Sequence, residues 1–144
     1  MRKVKPASRW SAETELTVQF FDLDPMQIVW HGNYVKYLEV ARCTLLDSIG
    51  YNYEQMKESG YAWPIIDMNV RYIGSAKFAQ RLLLRADIVE WENRLKIDYL
   101  VSDAETGKRL TRASTTQVAV DITNGEMCFV SPAVLFEKLG VQPV

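Results

Sequence analysis

Apolar and polar positions change their period once along this chain, and the change separates a helical first part from a sheet-forming second part. Residues 14–20 alternate, with Leu16, Val18 and Phe20 set against Thr17 and Gln19, the period of a strand with one buried face. Over 33–48 the period lengthens. Tyr34, Val35, Tyr37, Leu38, Ala41, Leu45 and Leu46 fill most of a helical circumference and leave Lys36, Glu39 and Arg42 as a thin polar stripe. This predicts a largely buried helix of roughly 24 Å at 1.5 Å per residue, stopped by Gly50. Residues 51–60 read as a short helix and turn, with Asn52 as N-cap and Gly60 as C-cap. From residue 61 onward the alternation is that of strands, at 63–73, 82–90, 95–101 and 110–122. Their connections look like hairpins: Glu92-Asn93, a longer loop at 103–107, and Asn124-Gly125 before a short apolar run at 127–130. Ser131 as N-cap and Pro132 at the first helical position open a last helix through Leu139, with Gly140 behind it. One strand, one long helix and then successive antiparallel strands predict an α+β fold in which a sheet wraps the helix to bury it.

Composition narrows the classes. A chain of 144 residues with 48% hydrophobic and 11% aromatic content suits a single domain, whose predicted elements run from about 14 to 139. Seventeen basic and eighteen acidic side chains nearly cancel, so the chain lacks the one-signed field of a general nucleic-acid or anionic-membrane binder. Cys43 and Cys128 are isolated and there is one histidine, which makes neither a disulfide framework nor a metal-ligand cluster, and no metal or cofactor is expected. Arg2, Lys3, Lys5 and Arg9 are followed by no apolar signal segment, and no run is long enough to span a bilayer. The expectation is a soluble cytoplasmic protein.

The chemistry concentrates where the first strand passes into the long helix, in Asp22-Leu23-Asp24-Pro25-Met26-Gln27-Ile28-Val29-Trp30-His31-Gly32-Asn33-Tyr34. A helix N-terminus presents unpaired backbone N–H groups, and a carboxylate facing them would act on a carbonyl they polarise. With this motif and this order of elements, the chain resembles the hotdog-fold acyl-thioesterases. More narrowly it resembles the 4-hydroxybenzoyl-CoA thioesterase type, whose signature reads Asp-x-Asp-x-x-Gly-hydrophobic-Val-aromatic-His/Tyr-x-x-Tyr. Asp22, Asp24, Ile28, Val29, Trp30, His31 and Tyr34 match it in place.

The resemblance implies a hotdog fold, hydrolysis of an acyl-CoA or acyl-carrier-protein thioester, Asp24 as nucleophile or general base, and the backbone N–H of His31 as carbonyl donor. It also implies a homodimer or homotetramer with sites at the interface. A carboxylate of ordinary pKa, about 3.9, is ionised near neutrality and needs only a more electrophilic carbon. Donors at a helix start supply that. The bland alternative for Asp24 is a cap of turn N–H groups before Pro25. For Asp22 a hydrogen bond to the turn is the better reading, and for Glu39, a fallback acid on the helix, a salt bridge with Lys36 or Arg42. Gln27, Trp30, Gly32, Asn33, Tyr34, Trp63, Arg71 and Arg94 are candidate substrate contacts, although Trp30, Tyr34, Tyr37 and Trp63 suit a core equally.

Two departures from the family pattern matter. Gln27 stands where relatives commonly carry Gly. After Trp91 the chain reads Glu92-Asn93-Arg94, one cation where a basic cluster would meet nucleotide phosphates, so a carrier-protein thioester stays open beside CoA. Arg71, Lys77, Arg81, Arg94, Lys96 and Arg109 are phosphate or carrier candidates, or solvated strand ends. Two other functions compete: a hotdog hydratase or dehydratase, whose Asp-x-Asn-Pro-x-His pattern would place its base histidine at Gln27, and a non-catalytic acyl-thioester binding subunit.

Overall fold

The computed structural model describes residues 9–143, so Arg2, Lys3 and Lys5 lie outside the described residues. In chain order it contains β1 (Ser11–Thr17), a 3-10 turn at Phe20–Asp22, α1 (Asn33–Ser48), α2 (Tyr53–Glu58), β2 (Tyr61–Ala62), β3 (Ile65–Tyr72), β4 (Arg81–Glu90), β5 (Leu95–Asp103), β6 (Arg109–Gln117), β7 (Val120–Asp121) and α3 (Ala133–Leu139). Five strands form one antiparallel sheet in the order β1-β4-β5-β6-β3, and β2 pairs with β7 separately.

The alternation in β4 and β5 orients the sheet. Leu82, Leu84, Ala86 and Ile88 on β4, and Leu95, Ile97, Tyr99 and Val101 on β5, are all buried. Against β1, β4 and β5 lies α1, which buries Tyr34, Tyr37, Leu38, Ala41, Leu45 and Leu46, at about 1.5–3 kcal/mol for each fully buried large apolar side chain. The helix has the predicted bounds, and Gly50 follows it in the left-handed region, at φ 69°. Asn52 caps α2 by accepting the N–H of Tyr53.

Several expectations are corrected. The first strand begins at Ser11 and ends at Thr17, because the Asp22 carboxylate takes the Gln19 N–H and turns the chain there; Phe20, expected on the buried face, is 75% exposed. The strand expected at 63–73 makes no hairpin with the next one. It pairs with β6 at the far edge, and residues 73–80 cross to β4. The strand expected at 110–122 breaks after Gln117, since Val120–Asp121 joins Tyr61–Ala62. The run at 127–130 is not a strand: only Met127 bridges to Val120, and Phe129 and Val130 are exposed. Pro132, not Ser131, is the N-cap of α3. The helix is not buried all round, for Val35 and Val40 are 41% and 44% exposed. Arg42 leaves the expected polar stripe and is 3% exposed, because Tyr53 of α2 packs over it and hydrogen-bonds its guanidinium together with Glu39.

At the end of β5 the Asp103 carboxylate accepts the N–H groups of Thr106 and Glu105, and Gln80 donates to it at 2.6 Å. The Thr106 N–H and the Gln80 amide, foremost among these donors, hold the carboxyl down at about 2, against an ordinary 3.8. A depressed folded-state pKa stabilises the fold above the unfolded value, and that stabilisation disappears as pH falls through the folded one. Asp103→Asn is therefore expected to be less stable than the parent near neutrality. The difference should close between about pH 4 and pH 2 in acid-unfolding curves followed by circular dichroism.

Candidate active site

The strand-to-helix passage is a short hairpin. Leu23 bridges Val29, Trp30 N–H donates to the Asp22 carbonyl and Asp24 N–H to the Ile28 carbonyl. Asp22 ties this hairpin to α1. One carboxylate oxygen accepts both the Gln19 N–H and the Tyr37 hydroxyl at 2.9 Å, while its carbonyl accepts the Asn33 side-chain amide at 2.8 Å. Burial, then the hydrogen bond to the Asp22 carboxylate, pushes the Tyr37 hydroxyl well above its ordinary pKa, so it stays a proton donor to that carboxylate. Asp22 and Asn33 are thus occupied in holding the loop.

Asp24 and Gln27 stand at the hairpin tip. Oδ1 of Asp24 accepts the Met26 N–H at 2.8 Å, and among the described residues Oδ2 has no hydrogen-bond partner. Gln27 closes the turn by donating its N–H to the Asp24 carbonyl, with φ 64°, a conformation costing a side-chain-bearing residue about 1–2 kcal/mol relative to glycine. Both residues line an open cavity of about 430 Å³ together with Phe20, Leu23, Lys77 and Phe78. Phe20 and Phe78 meet edge to face, 5.8 Å between centroids. The cavity is therefore apolar-walled with one carboxylate and one ammonium on its lining. Phe20 and Phe78 were not legible as site residues. The only signal for Phe78 was a large apolar side chain inside the polar stretch 75–80.

Beyond the second limb of the hairpin, α1 begins. The amide N–H groups of His31 and Gly32 have no acceptor among the described residues, whereas the next two amides turn inward, Asn33 N–H to the Trp30 carbonyl at 2.8 Å and Tyr34 N–H to the His31 carbonyl at 3.4 Å. The Tyr72 hydroxyl, from β3, donates to that same His31 carbonyl at 2.8 Å. Around these amides the Trp30, His31, Tyr72, Tyr34 and Tyr37 rings form a chain of edge and tilted contacts. The Trp30 indole lies over Gly32: a Cβ there would come within 2.4 Å of the ring. Gly32→Ala is expected to swing the indole off the helix start while leaving the thermal midpoint almost unchanged, because Trp30 is 49% exposed and has room to move. A crystal structure of the variant checks this.

The other candidates lie elsewhere. Trp63 is 5% exposed, and its indole N–H donates to Tyr51 within the core. Arg71 is on exposed β3, opposite Arg112 in register. Arg94 is held by Glu90 at 2.6 Å beside the β4–β5 turn. Both Glu39 oxygens are engaged, by Arg42 and Tyr53. Among the described residues no three His, Cys, Asp or Glu side chains are grouped to hold a metal ion, and no helix is long and apolar enough to cross a membrane.

A family model described as the thioesterase-like superfamily matches residues 18–137, from the end of β1 into α3. The chain belongs to that superfamily. As a thioesterase it is 29% identical to a Synechocystis protein provisionally named esterase sll0410, over 88% of this chain and 77% of that one. It is 24% identical to a Bacillus subtilis protein provisionally named acyl-CoA thioesterase YneP, over 76% and 80% of the two chains. Among solved structures, Slr0204, a 1,4-dihydroxy-2-naphthoyl-CoA thioesterase from Synechocystis, superposes with a TM-score of 0.80 at 21% identity, covering 90% of this chain and 96% of that one. The architecture of this thioesterase is the hotdog fold.

Proposed function

We propose that this thioesterase hydrolyses an acyl thioester, acyl-CoA or acyl-carrier-protein, at the cavity beneath Asp24. Oδ2 of Asp24 serves as general base or nucleophile, and the N–H groups of His31 and Gly32 receive the developing oxyanion. The observation that carries this is local. A carboxylate oxygen without a protein partner stands at the hairpin tip, and two consecutive amides without acceptors follow the hairpin's second limb at the start of α1, in a chain whose family is named for this chemistry. On the base route, Asp24 takes a proton from water, the water oxygen bonds to the carbonyl carbon, the C–S bond breaks, and the thiolate leaves with that proton. Thiolate is a good leaving group, so no strong acid is needed. The apolar walls of Phe20, Leu23 and Phe78 suit an acyl group or the pantetheine arm.

The working unit in this reading is a homodimer joined through β3. Seven of the eight residues on this strand are exposed, among them Ile65, Ile66, Met68 and Tyr72, and its outer edge has no strand partner among the described residues. Exposed edges of this kind are ordinarily covered by pairing. Thiol release measured over short, medium and aromatic acyl-CoA and acyl-carrier substrates, with Asp24→Asn in parallel, tests the assignment. Tight binding of these thioesters without thiol release would make the chain a binding subunit instead.

A further inference from the structure

We infer that Tyr72 is a positioning residue for the oxyanion donors. This rests on the reading that the helix-start amides polarise the thioester. The peptide joining His31 to Gly32 is planar and trans. Its carbonyl and its N–H point in opposite directions, so whatever fixes one fixes the other. Within α1 that carbonyl receives only the long 3.4 Å bond from Tyr34 N–H, and its short bond, 2.8 Å, comes from the Tyr72 hydroxyl. The adjacent donor is held by the backbone alone, because the Trp30 carbonyl, which shares a peptide with the His31 N–H, accepts Asn33 N–H at 2.8 Å. One donor of the pair is thus set by the first helical turn. The other, the Gly32 N–H, is set by a hydroxyl from a strand at the opposite edge of the sheet from β1.

The Tyr72 ring is itself held, which is what a positioning group requires. It meets the Tyr34 ring at 5.4 Å and the His31 ring at 6.2 Å, both near perpendicular. Tyr34 is anchored in the core at 2% exposure. Gly32 has no Cβ and its N–H has no intrahelical acceptor, so without the hydroxyl only the long 3.4 Å bond from Tyr34 N–H restrains the plane against tilting about its flanking bonds. A preorganised donor contributes only while it already points at the oxyanion. Tyr72 never touches the reacting atoms in this scheme. It acts through the His31 carbonyl.

Tyr72→Phe removes the hydroxyl and keeps the ring contacts. Its kcat should fall about tenfold, less than the ~10²–10³ that follows outright loss of an oxyanion donor, while KM stays within about twofold. Glycine-selective ¹⁵N labelling gives a sparse spectrum from a chain with seven glycines. The Gly32 amide, assigned by its disappearance in Gly32→Ala, should shift in Tyr72→Phe more than any other glycine. A thermal midpoint matching the parent shows that the fold is intact; if the midpoint drops, the Gly32 shift and the split of kcat from KM in the folded fraction still decide. Wild-type kcat in Tyr72→Phe, or an unmoved Gly32 resonance, overturns the inference. Failure of the underlying reading has a different signature, full turnover in Asp24→Asn whatever Tyr72→Phe does.

Discussion

Asp24→Asn is expected to lower kcat by about 10²–10⁴-fold, the range by which a positioned general base accelerates a reaction, with the melting curve unchanged. Two features make this substitution clean. The carboxamide retains an oxygen to accept the Met26 N–H, so the turn at the hairpin tip keeps its hydrogen bond. Asp22, two residues away, does the holding of loop to helix through Gln19, Tyr37 and Asn33, so the proposed function divides stability and chemistry between neighbouring acidic residues. Glu39→Gln is the control. Its carboxylate is spent on Arg42 and Tyr53, and turnover in that variant should stay within a few-fold of wild type. Thiol-release assays over matched substrate ranges decide it, and a fully active Asp24→Asn removes this carboxylate from the mechanism.

Met68→Arg is the second large effect. Met68 sits in the middle of β3, opposite the buried Thr115, and is 37% exposed in the single chain. If a second copy covers that face, the new guanidinium becomes an unpaired charge in an interface. A penalty of about 3–5 kcal/mol for an uncompensated buried charge corresponds to dimerisation weakened by roughly two hundredfold to several thousandfold. Analytical ultracentrifugation should then find one chain's mass where the parent shows two. A parent that sediments as a monomer refutes the dimer.

The helix at the centre was legible because its signals are local. The long apolar period, the motif before it and Gly50 behind it all lie within a few residues of the bounds they set. The Asp22–Tyr34 segment that carries the proposed site could be read as strand end, turn and helix start for the same reason. The partner of β3 was not legible, since an alternating pattern does not say which strand lies alongside, and β6 comes only after β4 and β5 in the chain. Arg42 misled because spacing on a helix says which residues are neighbours and nothing about whether another element, here α2, lies on top. Tyr72 was hidden more thoroughly. In the sequence it is an aromatic on a strand, and its proposed role depends on a carbonyl 41 positions away.

The same sheet order governs how this protein comes into being. The partner of β1 begins at Arg81, and the partner of β3 at Arg109, after β4 and β5. During synthesis β1 and α1 are therefore finished well before β4 and β5, which cover the rest of the apolar side of α1, have left the ribosome. Domains built from such distant pairings fold slowly and expose apolar surface on the way. The nascent chain thus carries a partly uncovered apolar helix until β5 is complete at Asp103, so chaperone engagement and expression temperature are expected to bear on the yield of this protein.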